Sequence, residues 1–96
     1  MKNTRKTDRD LLYESVISLR NLSEAQQFFS DLLTVGEIKE IASRWKVARM
    51  ISKRVPYSRI ILETGLSSRT VARVARCVRR GAGGYRLMLR RTSKRG

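Results

Sequence analysis

Apolar side chains recur along this chain at helical spacing, and the segments between its few turn residues have lengths that helices favour. Leu12, Val16 and Leu19 repeat at i, i+4, i+7, with Tyr13 and Ile17 widening the face, which predicts a first helix over about 8–20. Ser23-Glu24-Ala25-Gln26 reads as a capping box that opens a second helix over about 24–33, with Ala25, Phe28, Phe29, Leu32 and Leu33 as its apolar face. Thr34-Val35-Gly36-Glu37 reads as another, opening the longest pattern in the chain: Ile38, Ile41, Ala42, Trp45, Ala48 and Ile51. Val55-Pro56 should end that third helix, because a proline pushes the residue before it out of the α region. A short helix over about 57–63 follows. Gly65 then marks a turn, Ser67-Ser68 opens a helix through Arg80, and the Gly81-Ala82-Gly83-Gly84 run joins it to a last helix over about 85–91. No strand pattern competes, so the expected fold class is all-α.

Two helices joined by a short turn that contains glycine form the helix-turn-helix outline. Ile60, Leu66, Val71 and Val74 fall where the two helices and their turn must press together, and Ile61 takes the position where a small residue usually allows close approach. At 100° per residue, Val71, Val74, Ala75 and Val78 occupy a sector of about 100°, while Arg69, Arg73, Arg76 and Arg80 occupy about 60° on the opposite side. One face packs and the other is a line of guanidinium groups, which repel one another unless an external anion is present.

Charge sharpens the picture. The chain has 96 residues, enough for one domain, with 22 Lys and Arg against 8 Asp and Glu and a net charge of +14. Residues 1–33 hold five basic and five acidic side chains, residues 34–66 seven and three, and residues 67–96 ten and none. One end is therefore suited to protein packing and the other to a polyanion. Short basic ends, about 1–7 and 92–96, are expected to be disordered. Aromatic residues make up only 6% of the chain, so the core of a lone monomer would be thin.

The same inventory excludes several classes of function. With Cys77 alone and no histidine, there is no intramolecular disulfide, no finger-type zinc site and no histidine acid/base chemistry. Cys77 lies off the centre of both faces of its helix. The eight acids are scattered and no nucleophile has a base beside it, so neither an enzyme nor a cofactor is expected. No apolar run reaches the roughly 20 residues of a membrane span, and Met1 to Asp10 lacks the apolar stretch of a signal peptide, so a soluble cytoplasmic protein is expected. The glycine run follows a helix rather than a strand and is no phosphate-cradling loop.

Double-stranded DNA is the partner that the arginine line fits best, since arginine forks onto guanine edges and bonds phosphate. The expected DNA-binding residues are Ser67, Ser68, Arg69, Thr70, Arg73, Arg76 and Arg80, the hydroxyls capping the helix and reaching bases or phosphates. The alternative is a basic helical adaptor or an RNA-binding module. Readers of single-stranded RNA stack bases on exposed aromatics, whereas Phe28, Phe29 and Trp45 fall on packing faces here.

The stretch Phe28-Phe29-Ser30-Asp31-Leu32-Leu33-Thr34, the helix through Arg44-Trp45-Lys46-Val47-Ala48, the run Glu63 to Val74 and the later Gly84-Tyr85-Arg86-Leu87 together resemble the tryptophan repressor superfamily, with its YerC/YecD-like branch the most similar. The match covers about 12–90. The resemblance implies a repressor-type transcriptional regulator: an intertwined helical homodimer whose first helices interlock and which presents two helix-turn-helix units to successive major grooves. It also implies an effector site at Thr34, Arg44 and Arg73, because two arginines flank the indole and a threonine contacts the ligand in tryptophan-binding members. Val74 stands where those members have glycine. The expected small-molecule corepressor, where there is one, is therefore not tryptophan.

Overall fold

A computed structural model describes residues 5–93, and among these every regular element is an α-helix. The elements are α1 (Asp8–Ile17), α2 (Leu22–Leu32), α3 (Val35–Ser52), α4 (Tyr57–Thr64), α5 (Ser68–Arg80) and α6 (Gly84–Ser93). They group into two compact units, one up to Ile38 and one from Lys39 onward. Within the ends expected to be disordered, Thr7 caps a helix, and Thr92 and Ser93 are the last residues of α6. The rest of those ends, Met1 to Thr4 and Lys94 to Gly96, lies outside the described residues.

In the first unit, local hydrogen bonds decide the helix ends. The Thr7 hydroxyl accepts from the Asp10 N–H and the Asp10 carboxylate accepts from the Thr7 N–H, both at 3.0 Å, a reciprocal cap for α1. α1 stops at Ile17 rather than near 20, closed by a tightened last turn in which the Ser18 and Leu19 N–H groups reach the Ser15 and Val16 carbonyls. The cap of α2 is Asn21 and not Ser23. Its Oδ1 accepts from the Glu24 N–H at 2.9 Å, and Glu24 accepts from the Arg20 N–H at 2.9 Å, so the cap sits two residues earlier than the Ser23/Gln26 pattern suggests and the glutamate reaches one residue past it instead of closing a box. Asparagine is at least as good a cap as serine, and here its glutamate stands three residues on. The expected box at Thr34 and Glu37 forms, with bonds of 2.9 and 3.1 Å. No residue of α1 or α2 is buried, and the Phe28 and Phe29 rings lie 5.6 Å apart.

The second unit holds the core. Val47 and Ala48 of α3, Ile60 of α4 and Val71 and Val74 of α5 form one buried cluster, with Trp45, Met50, Ile51, Val55, Ile61, Leu66, Val78 and Tyr85 packed around it. Ile61 is thus accommodated, half-buried, at the position where a smaller side chain is usual. α3 ends at Ser52, before Pro56 can act: the Arg54 and Val55 N–H groups bond the Ile51 and Met50 carbonyls, the Schellman pattern. Arg54 takes the left-handed position at φ 62°, which costs a non-glycine residue about 1–2 kcal/mol, and the closure brings Val55 against the core. Pro56 then precedes α4, and Gly65 ends α4 at φ 72° with its N–H on the Ile61 carbonyl. That left-handed residue redirects the chain into α5, and the packed pair α4 and α5 is the expected helix-turn-helix.

Candidate nucleic-acid interface

The two faces of α5 separate as its sequence dictates. Val71, Val74 and Ala75 are buried and Val78 is half-buried, while Arg69, Arg73, Arg76 and Arg80 are all exposed. None of these four guanidinium groups has an ion pair or a side-chain hydrogen bond among the described residues. The sequence offers no carboxylate beyond Glu63, and that group is bound to Arg59 at 2.8 Å one turn away on α4. The helix therefore carries a row of unneutralised cations at a solvent face, a surface that attracts a polyanion.

Ser67 starts α5. Its hydroxyl accepts from the Thr70 N–H at 3.1 Å and lies 3.0 Å from the Thr70 hydroxyl, so both side chains are engaged in the cap. Thr70 is half-buried, whereas Ser67, Ser68 and the four arginines are exposed. All seven residues expected at a DNA surface thus share one helix and its cap.

The three residues of the expected effector site are placed differently. Thr34 is spent on capping α3 in the first unit. Arg44 and Arg73 belong to the second unit, where Arg44 donates to Glu40 at 2.8 Å and Arg73 stays on the exposed row. The Arg44 Nε is shielded from solvent and has no partner among the described residues. Val74, the departure from the tryptophan-binding pattern, is 3% exposed and part of the core cluster.

Three contacts were not legible in the sequence. Arg79, one residue outside the arginine row, donates to the Tyr57 hydroxyl at 3.2 Å. Its only sequence signal is an angular position on α5 beside the face that packs on α4. The Trp45 indole stacks on the Tyr85 ring with centroids 6.2 Å apart and planes 10° apart, and the Arg49 guanidinium lies 5.9 Å from the indole centroid. Trp45 is half-buried against the core, in line with its expected packing role.

Comparison with known proteins places this arrangement. The family model for the Trp repressor protein matches residues 7–93. The uncharacterized protein YerC of Bacillus subtilis is 41% identical over 85 residues, spanning 88% of this chain and 82% of that protein. Among solved structures, a TrpR-like protein from Eubacterium eligens superposes with a TM-score of 0.84 at 35% identity, covering 92% of each chain. A candidate Trp repressor from Staphylococcus aureus superposes at 0.85 and 37% identity, covering 93% of this chain and 89% of that one. The family match over nearly the whole chain, the identity to YerC and the shared all-helical fold lead to one conclusion: this protein belongs to the Trp repressor family, in the branch of YerC.

Proposed function

We propose that this protein is a repressor-type transcriptional regulator that reads duplex DNA as a homodimer, laying α5 in the major groove. The observation that carries the reading is the exposed row Arg69, Arg73, Arg76 and Arg80, without a neutralising partner among the described residues, on the second helix of a helix-turn-helix. Arg69 and Arg73, nearest the start of α5, are assigned to base edges, and Arg76 and Arg80 to phosphates. The exposed Ser68 hydroxyl, which has no partner among the described residues, is assigned to a base or a phosphate, and Ser67 and Thr70 hold the helix start that presents it.

The dimer is supported by apolar surface that one copy leaves open. Ile17 is 82% exposed, Leu22 74% and Tyr13 61%, and no residue of α1 or α2 is buried. A second copy covering these side chains would remove apolar area worth roughly 25 cal/mol per Å² from water and complete the chain as one domain. A cytoplasmic location and the absence of a catalytic step go with this reading. So does an effector site that has lost tryptophan, because Val74 fills the core where the ligand would need room.

The test is selection of bound sites from random duplexes, followed by affinities of Arg69→Ala and Arg73→Ala. Loss of a base contact should cost about 1–3 kcal/mol on the selected site and less on random DNA. Sedimentation at micromolar concentration should report about twice 11.1 kDa. If all four arginine variants weakened both DNAs alike, the row would be an electrostatic patch without sequence readout. Tight binding to single-stranded RNA in place of duplex would favour an RNA-binding module.

A further inference from the structure

Among the described residues, one side-chain hydrogen bond joins two different helices: Arg79 near the end of α5 donates to the hydroxyl of Tyr57, the first residue of α4. Both side chains are exposed, Tyr57 by 42%. The bond therefore contributes little to stability on its own, since exposed polar pairs are largely offset by water. What it does is set direction. A guanidinium has five N–H donors, and the tyrosine takes one. The others have no partner among the described residues, and Arg79 makes no ion pair there.

The tyrosine oxygen accepts from Arg79, which leaves its own hydrogen for an acceptor outside the described chain. No acceptor for it occurs among those residues. A hydroxyl that accepts from a cation is polarised into a better donor. The pair thus presents a cationic donor and a neutral donor side by side, one from each helix of the helix-turn-helix. On α5, Arg79 lies between the buried sector and the arginine row, roughly 60° from Arg76. It borders the proposed DNA face without belonging to it.

We propose that Tyr57 and Arg79 form a two-donor clamp on a backbone phosphate of the bound duplex, gripping DNA from both helices at once while the arginine row reads the groove. The clamp rests on the DNA-binding reading above. A phosphate oxygen accepts from both groups: the guanidinium supplies charge and the hydroxyl supplies direction. Because every nucleotide has the same phosphate, the clamp adds affinity and register without sequence preference.

The experiment compares Tyr57→Phe, Arg79→Gln and the double variant of the full chain, on the selected site and on random duplex, across a range of salt. Arg79→Gln should weaken both DNAs equally and lower the slope of log affinity against log salt by about one, the signature of one lost phosphate contact. Tyr57→Phe removes no charge, so it should weaken both DNAs several-fold and leave the slope unchanged. The double variant should lose less than the product of the two single losses, because each group orients the other. Circular dichroism of each variant checks that the helices persist. A slope unchanged by Arg79→Gln, or full affinity in Tyr57→Phe, would overturn the clamp. If the wild-type chain binds no duplex at all, the DNA-binding reading fails as well, whereas a loss confined to Arg69→Ala and Arg73→Ala removes the clamp alone.

Discussion

The indole of Trp45 on α3 and the phenol ring of Tyr85 on α6 stack nearly parallel, 10° between planes, with the Arg49 guanidinium 5.9 Å from the centroid of the indole. Tyr85 is the second residue of α6 and packs against the core cluster, so this contact, together with the packing of α6 on α5, seats the last helix. Replacing Tyr85 with Ala removes an aromatic pair worth about 0.5–1.5 kcal/mol beyond its buried area. Denaturant unfolding should show a total loss of about 2 kcal/mol, less than full burial would give because the ring is half-exposed. Trp45 fluorescence should shift to the red as water reaches the freed indole face. An unshifted spectrum would mean that the stack does not shield the indole.

Two glycines bound α5 for different physical reasons. Gly65 has φ 72° and open space where a Cβ would project, so Gly65→Ala meets only the backbone cost of the left-handed conformation, about 1–2 kcal/mol. Gly81 has an ordinary φ of −81°, but a Cβ there would collide with the Cys77 carbonyl, the acceptor of its own N–H bond. Gly81→Ala must therefore open the last turn of α5. Chemical unfolding should rank the Gly81 variant as the more damaged of the two, and the reverse order would contradict this account.

Free tryptophan should not change DNA affinity. Val74 is 3% exposed among Val47, Ile60 and Val71, and a branched side chain there has one favoured rotamer in a helix. Forcing an indole against it overpacks the junction at about 1–3 kcal/mol, roughly a ten- to a hundredfold loss of affinity. Calorimetric titration to millimolar tryptophan should give no saturable heat. Val74→Gly is the variant in which such a signal would emerge, at a cost in helix stability.

The cap of α1 should depend on acid. Backbone and side-chain hydrogen bonds from Thr7 hold the Asp10 carboxyl below its ordinary value of 3.8. A depressed carboxyl stabilises the fold above its unfolded value, and that contribution fades as pH falls through the lower folded value. Far-UV dichroism of α1 should accordingly be flat near neutrality and decline only in strong acid. Asp10→Asn should abolish the part of that decline due to the cap and weaken α1 at neutral pH.

Much of this protein follows from local rules that act along the chain. The helix boundaries at Thr34 and Ser67 depend on side-chain caps three residues from the N–H they satisfy, and those at Gly65 and Arg80 on glycines whose N–H groups bond carbonyls four residues back, so a linear reading finds them. The split of α5 into a valine face and an arginine face depends only on the 100° step of the helix. Even local rules compete, however. Asn21 outranks Ser23 as a cap because Glu24 also reaches back to Arg20, and α3 stops at Ser52 because a Schellman closure through Arg54 forms before Pro56 can intervene.

What the sequence could not determine is what depends on residues far apart in the chain. The stack of Tyr85 on Trp45 and the bond of Arg79 to Tyr57 span forty and twenty-two positions, and nothing in their local patterns distinguishes them from other half-exposed aromatics or basic residues. Packing decides them: α4, α5 and α6 must close over Ile60, Val71 and Val74 to bury apolar surface, and the contacts at the helix ends follow from that closure. Val74 shows both halves of the lesson. Its identity marks the departure from the tryptophan-binding pattern, but only the structure shows that its side chain is packed into the core, which is the basis for predicting that an indole is not admitted there.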